Sequence, residues 1–240
     1  TMNTIFLNVS KYNTIIFKNV NMLVFDMAGT TINEKGLVYD TLYKTIKNFG
    51  LQISKEEMYK WHGSNKYEVL DYYLYKNKPK RNENCEIEKA VREQLFSNFN
   101  NNLNDIYFTP SDIGLIDDNL PELFENIRKK DIKIALNTGY SKDIQENLIR
   151  KFNLNDCIDD YISSEEVSFG RPYPYMIHRL MERNNIMNVN SVLKFGDSRN
   201  DVLEGINAGC LSSVGVLSGA GTNEHLKDAR YILNSIMEIE

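Results

Sequence analysis

NMLVFDMAGTT, at residues 21–31, decides the fold class of this chain. Met22, Leu23, Val24 and Phe25 form a short unbroken apolar run that ends on Asp26, with a glycine soon after. Such a run predicts a strand buried on both faces that delivers a carboxylate to its own end. In open α/β sheets ligands bind beyond the carboxyl ends of the strands, so Asp26 is placed where chemistry occurs. Gly29 lets the backbone turn close to a ligand, and Thr30 and Thr31 offer hydroxyls and N–H groups to an anion. Read alone, the segment also fits a strand end whose Asp caps a turn.

Three later segments repeat the device. KIALNTGY at residues 133–140 is a second apolar strand, ending in Thr138-Gly139. Gly170-Arg171-Pro172 puts a fixed cation at the start of a predicted helix. VLKFGDSRND at residues 192–201 is a third strand ending in Gly196-Asp197, with Asp201 four residues on. An aspartate can act as a covalent nucleophile when cations neutralise its charge and that of a phosphoryl group. Asp26 and Asp197, expected to converge on one side of the sheet, suit a hard cation such as Mg²⁺ through oxygen ligands. The plainer readings are acids decorating a helix N-terminus for Asp197 and Asp201, and a surface cation near a Pro-led helix start for Arg171.

Aspartate, threonine, basic residue and paired aspartate, in that order, resemble the motif set of the haloacid dehalogenase (HAD) hydrolase superfamily over essentially the whole chain after residue 20. DMAGTT, NTGY, GRPYPYM, GDSRNDVLEGINAG and VGVLSG resemble its phosphonatase (phosphonoacetaldehyde hydrolase-related) branch. Most phosphatases of the superfamily carry a second Asp two residues after the nucleophile, which protonates the departing alkoxide and then activates water. Here that position is Ala28, which does neither, and phosphonatases break the pattern at the same place.

The resemblance implies an α/β fold, a Rossmann-like parallel sheet with a small inserted helical cap. It implies Mg²⁺-dependent hydrolysis of a phosphonate or phosphate bond in a small metabolite. Asp26 is then the nucleophile. Asp26, the backbone carbonyl of Ala28 and Asp197 are metal ligands, and Asp201 is a ligand or holds the metal's water. Arg171 neutralises the phosphoryl oxygens and keeps Asp26 ionised. Thr138 and the Gly139 N–H, with Gly29 and Thr30, bind substrate.

Helical periodicity replaces strand punctuation over residues 37–107, the expected cap, between core segments 21–36 and 108–240. Val38, Leu42 and Ile46 share a face up to Gly50, Ser54 and Glu57 form a capping-box start, and further helices are expected around residues 69–73 and 85–99, separated by a polar turn at 76–84. Gly63-Ser64-Asn65-Lys66 follows the second cap helix. In phosphonatases a lysine at this place forms a Schiff base with the substrate aldehyde, and the imine takes the electrons of the breaking C–P bond. The leaving group then departs as an enamine, which makes Ala28 tolerable. Two positions depart from the branch: His62 stands where it has Met, and Val69 where it has His. His62 is therefore a candidate for the acid–base work, beside the plainer reading that it packs against Trp61. Trp61 and Tyr67 are expected in the cap core, and His178 and His225 in structural or surface places. A phosphatase for a small phosphorylated metabolite, or a phosphometabolite-binding protein with little turnover, are the rival readings.

Composition narrows the field. The 240 residues carry a net charge of −5, which argues against a nucleic-acid surface. Cys85, Cys157 and Cys210 are far apart and form no metal or disulfide pattern, as expected of reduced thiols in a cytoplasmic protein. No apolar run reaches the ~18 residues of a membrane span. Residues 1–20 lack the basic start and long apolar core of a signal peptide and read as an extra strand or hairpin, with Thr1 a candidate expression remnant. A homodimer is compatible with the sequence.

Overall fold

β3 (Met22–Asp26) is buried along its whole length and lies in the middle of a six-stranded parallel sheet. The computed structural model describes residues 3–10, 13–76, 85–109 and 112–240. The polar turn expected at residues 76–84 falls, from residue 77 on, outside them. From β3 the chain goes to β6 (Lys133–Thr138) and β7 (Asp160–Ser163) on one side. It then crosses to β8 (Val192–Gly196), β9 (Ser212–Val216) and β10 (Tyr231–Leu233) on the other. The strand order thus reverses at β3, and that switch point is where open α/β sheets leave a crevice. Asp26 ends the strand at its mouth.

Side-chain alternation sorts the two faces. Leu23, Phe25, Leu136, Leu193 and Phe195 enter one core, where Phe25 stacks on Phe124 at 5.1 Å and on Phe195 at 4.9 Å. Met22, Val24, Ala135 and Val192 enter the other, against Met176, Ile177 and Leu180 of α7 (Tyr175–Arg183) and Ala208 of α8 (Arg199–Ala208). The same parity puts Asp26, Asn137 and Lys194 on the α7–α8 face, next along from the apolar residues. α8 ends on Gly209, whose φ of +82° is the left-handed C-terminal stop. α5 (Leu120–Arg128) and α6 (Lys142–Lys151) flank β6 in the chain.

Four helices stand between β4 (Ile32–Asn33) and β5 (Gly114–Leu115), which pair antiparallel as the two legs of the insertion. They are α1 (Leu37–Asn48), α2 (Lys55–Tyr59), α3 (Lys66–Tyr75) and α4 (Glu86–Phe108). The Ser54–Glu57 capping box forms, although α2 runs for only five residues. α4 continues nine residues past the expected end at Phe99. Asparagines dilute its periodicity, but Leu95, Phe99, Leu103 and Tyr107 keep a buried i, i+4 stripe. Arg171 does not open a helix: α7 begins four residues later. Arg171 and Tyr173 each precede a proline, which disfavours helical backbone at both until Pro174 is passed.

The N-terminal segment is an antiparallel hairpin of β1 (Thr4–Ser10) and β2 (Asn13–Lys18). It is bound to the chain's other end through paired hydrogen bonds between Phe6 and Glu240 at 2.8 and 2.9 Å. Ile5 and Leu7 are fully buried, whereas Ile16 is 54 % exposed. Leu7→Ala should therefore cost about 2–5 kcal/mol of unfolding free energy, and Ile16→Ala within about 0.5 kcal/mol. Urea titration of the two variants checks the contrast.

Candidate active site

Eight charged side chains are buried among the described residues, and all gather around the end of β3: Asp26, Glu34, Asp197, Asp201 and Glu204 against Lys66, Arg171 and Lys194. Burying an ion costs several kcal/mol even after relaxation, so such charges persist only when closely paired. Arg171 does most of the pairing. Its Nη1 donates to Asp26 Oδ1 at 2.8 Å and lies 3.0 Å from Asp201 Oδ1. Its Nε donates to Glu204 at 3.0 Å, and its Nη2 to the carbonyl and side-chain oxygens of Asn137 at 2.8 and 2.6 Å. Lys194 Nζ donates to Asn137 Oδ1 and Asp201 Oδ1, both at 2.9 Å. Burial opposes the charge on Arg171, but Asp201, Asp26 and Glu204 outweigh it and hold the guanidinium firmly protonated.

Asn137, Lys194 and Glu204 escaped the sequence reading. The signal was there: a lysine and an asparagine inside largely apolar strands, on the parity of Asp26. What the sequence lacked was the register that joins them.

Asp26, Asp197 and Asp201 offer oxygens that all lie within 4.8 Å of one another. Burial and the neighbouring Asp201 raise the pKa of Asp26, against the pull of Arg171. Burial, with Asp26 and Asp201, raises that of Asp197 further. For Asp201 burial is outweighed by Arg171 and Lys194, so its pKa is lowered. Five buried acids against three bases leave negative charge uncompensated, and the donors are hard carboxylate oxygens. The set fits a divalent cation of the Mg²⁺ class. Ala28 lies in the loop after β3, where the Gly29 N–H donates to the Ile32 carbonyl at 2.8 Å. Gly29 has φ +77°, and a Cβ there would meet Asp197 Oδ2 at 2.6 Å, so the turn needs glycine.

Thr30 Oγ1 is buried without a hydrogen-bond partner among the described residues. An unmade bond of this kind costs roughly 1–3 kcal/mol, which a ligand oxygen at this loop would offset. Thr138 Oγ1 instead accepts from the Tyr140 N–H at 3.2 Å. Gly139 receives the insertion: its carbonyl accepts from the Lys66 N–H at 3.3 Å, and a Cβ on it would lie 2.3 Å from the Ser64 oxygen. Gly63 is equally tight, since its Cβ would sit 2.2 Å from Ser198 Oγ. Asn200 Nδ2 completes the contact, donating to the His62 carbonyl at 2.7 Å and to Ser64 Oγ at 3.0 Å. The loop bearing Gly63 and Ser64 thus rests directly on the strand ends.

Lys66 is the first residue of α3, with Asn65 as its N-cap, and its side chain is buried. Nζ donates to the Ser64 carbonyl at 2.8 Å and meets Tyr39 Oη at 3.4 Å. Burial presses its pKa down to about 8, although Asp26 pulls the other way. His62 stacks on Tyr39 at 3.8 Å. Burial, then Lys66 and His225, push the His62 pKa down to about 4, so the imidazole is neutral near pH 7. The expectation of a histidine titrating near neutrality does not hold there, because burial disfavours the imidazolium and Lys66 adds to that effect. His225, expected to be structural or on the surface, lines with His62, Tyr59, Asn200 and Asp197 a cavity of 430 Å³. His178 bonds the Ala208 carbonyl at 3.0 Å. Trp61 donates to Tyr73 Oη at 3.2 Å and Tyr67 stacks on Phe96 at 4.5 Å, both within the helical insertion.

A family model described as haloacid dehalogenase-like hydrolase matches residues 23–215. The phosphonoacetaldehyde hydrolase of Bacillus cereus (strain B4264) is 26% identical over 215 residues, 84% of this chain and 77% of that protein. A bifunctional phosphonoacetaldehyde hydrolase/aminoethylphosphonate transaminase of Clostridioides difficile (strain 630) is 27% identical over 220 residues, 85% of this chain but only 32% of that longer protein. Among solved structures, a phosphonoacetaldehyde hydrolase-like protein from Oleispira antarctica superposes with a TM-score of 0.70 at 20% identity, covering 95% of this chain and 92% of its own. A β-phosphoglucomutase from Clostridium difficile gives a TM-score of 0.71 at 19% identity, covering 90% and 91%. No helix among the described residues is long and apolar enough to cross a membrane.

The buried amine has a stability signature. With the folded pKa of Lys66 at about 8 and the ordinary value at 10.5, the folded protein binds fewer protons between those limits. Stability contributed at this site therefore rises with pH across that window, with the full penalty below about 8 and none above 10.5. The unfolding free energy of the wild type, measured against Lys66→Met by urea titration at each pH, should climb by about 3 kcal/mol from pH 7 to 10.5.

Proposed function

Since the chain belongs to the haloacid dehalogenase-like hydrolase family, we propose that it is a Mg²⁺-dependent, phosphonatase-like member that cleaves the C–P bond of a small phosphonate of the phosphonoacetaldehyde type. One observation carries the reading: a buried lysine amine with a pKa of about 8 stands at the site of Asp26, in a loop where Ala28 takes the place of an acid. A neutral amine is what condenses with an aldehyde, and desolvation is what supplies it near neutral pH.

Asp26, Asp197, Asp201 and the Ala28 carbonyl would hold Mg²⁺, whose double charge offsets the carboxylates and the phosphoryl group. Arg171 keeps Asp26 ionised and aims its Oδ1. Lys66 forms an imine with the aldehyde carbon. The Asp26 carboxylate then attacks phosphorus, the C–P electron pair moves into the imine to give an enamine, and no oxygen has to be protonated. The hydroxyl of Thr30 and the N–H groups at Gly29 and Gly139 are the donors for phosphoryl oxygens, with Thr138 shaping the turn that presents Gly139. The insertion is the cap, and its loop around Gly63 keeps water from the imine.

A second reading, hydrolysis of a small phosphate ester, is favoured by Val69, which is fully buried in apolar surroundings where the branch has a histidine. His62, neutral near pH 7, would be the base in that case and not the acid.

Asp26→Asn preserves the shape and removes the attacking charge. Phosphate release should fall by several orders of magnitude while the melting profile stays cooperative. Retained turnover in the folded variant would sink the covalent step. Lys66→Arg and Ala28→Asp separate the two readings. A guanidinium cannot form the imine, so Lys66→Arg should abolish phosphate release from phosphonoacetaldehyde. If ester hydrolysis is the true activity, Lys66→Arg should leave most of it, and Ala28→Asp should raise it by restoring an acid at the leaving oxygen.

A further inference from the structure

Tyr39 is the side chain that the Lys66 amine meets. Its Oη lies 3.4 Å from Nζ, and the amine sits 4.9 Å from the centre of its ring. The Gly63 N–H donates to the same oxygen at 2.7 Å, which fixes the hydroxyl beside the amine. The other polar partner of Nζ, the Ser64 carbonyl, can only accept. A hydroxyl can do both: it accepts from an ammonium and gives its own proton to a neutral amine or to an oxygen bound beside it. His62 stacks on the Tyr39 ring, and Val69 has no proton to offer.

We infer that Tyr39 is a catalytic acid–base residue of the Lys66 step, carrying the proton that imine formation and breakdown require. The inference rests on the imine reading of Lys66. Neutral Lys66 attacks the aldehyde carbon: the C–N bond forms, the carbonyl π pair moves to oxygen, and a nitrogen proton follows it to give a carbinolamine. The C–O bond then breaks. Tyr39 gives its proton to the departing hydroxyl, which leaves as water, and the nitrogen lone pair closes the C=N bond. The iminium and the Tyr39 phenolate are a charge-neutral pair, and hydrolysis of the iminium by water returns the proton to Tyr39. The groups around the hydroxyl keep it a phenol until then. Burial, Asp197, Asp26 and Glu34 raise its pKa well above the ordinary tyrosine value, and the Gly63 N–H lowers it less. Lys66, the neutral His62 and Tyr140 are further titratable neighbours among the described residues.

The test is reductive trapping of acetaldehyde on Lys66 with excess cyanoborohydride, followed by intact mass and peptide mapping, a readout independent of phosphate release. The wild type should form the adduct and Lys66→Arg should not. Tyr39→Phe, which keeps the ring, should trap about 100-fold more slowly. Its rate should rise with the concentration of added buffer acid, whereas the wild-type rate should not. Wild-type trapping with an undiminished Tyr39→Phe rate overturns the assignment and leaves the imine reading standing. A slow Tyr39→Phe rate that ignores buffer acid also overturns it, because the hydroxyl then only positions the amine. Absence of any wild-type adduct removes the imine reading and this inference together. Replacement of Tyr39 by 3,5-difluorotyrosine covers a failure of the Phe variant to fold: a stronger phenol acid should speed trapping, and an unchanged rate counts against the proposal.

Discussion

Between Asp26 and Asp201, the guanidinium of Arg171 lies 2.8 Å from one carboxylate and 3.0 Å from the other, and its remaining edges reach Glu204 and Asn137. Two strand ends, one helix and the turn before α7 meet on this single planar group. A lysine could not span them, because an ammonium is a compact point charge without a fork of fixed directions. With the arginine in place, acids that repel one another are held within metal-binding reach of each other. Without it, the sheet's switch point would carry still more uncompensated buried charge, among the costlier defects a fold can hold.

The same economy of space governs how the insertion meets the sheet. Gly63 and Gly139 allow the backbone of the 63–66 loop to touch the strand ends, where any Cβ would collide with Ser198 or Ser64. Contact at that range removes Lys66 from water, and removal from water raises the share of free amine near neutral pH. The loop's packing and the lysine's chemistry are thus one physical fact. His62 is shifted in the same direction, which works against catalysis by an acid: burial that frees an amine nucleophile also keeps the imidazole unprotonated.

Much of this was legible in residue order. The run Met22-Leu23-Val24-Phe25 reads as a buried strand, which puts its Asp at the ligand end of a parallel sheet. The order of Asp26, Thr138, Arg171, Asp197 and Asp201 carried the family. The Ser54–Glu57 box and Gly209 marked helix ends, because caps answer local hydrogen-bonding needs that sequence states directly. Other features depended on which distant segments came together. Strand register brings Asn137 to Arg171 and Lys194 to Asn137, and the docking of α1 against the 63–66 loop brings Tyr39 to Lys66. Periodicity reports how one element is buried and is silent on what it is buried against. So the sequence alone determined the sheet, its central carboxylate and the candidate residues, through local hydrophobicity and motif order. Only the tertiary structure decided the partners and proton states of those residues, because desolvation and Coulomb fields arise between segments that are far apart in the chain.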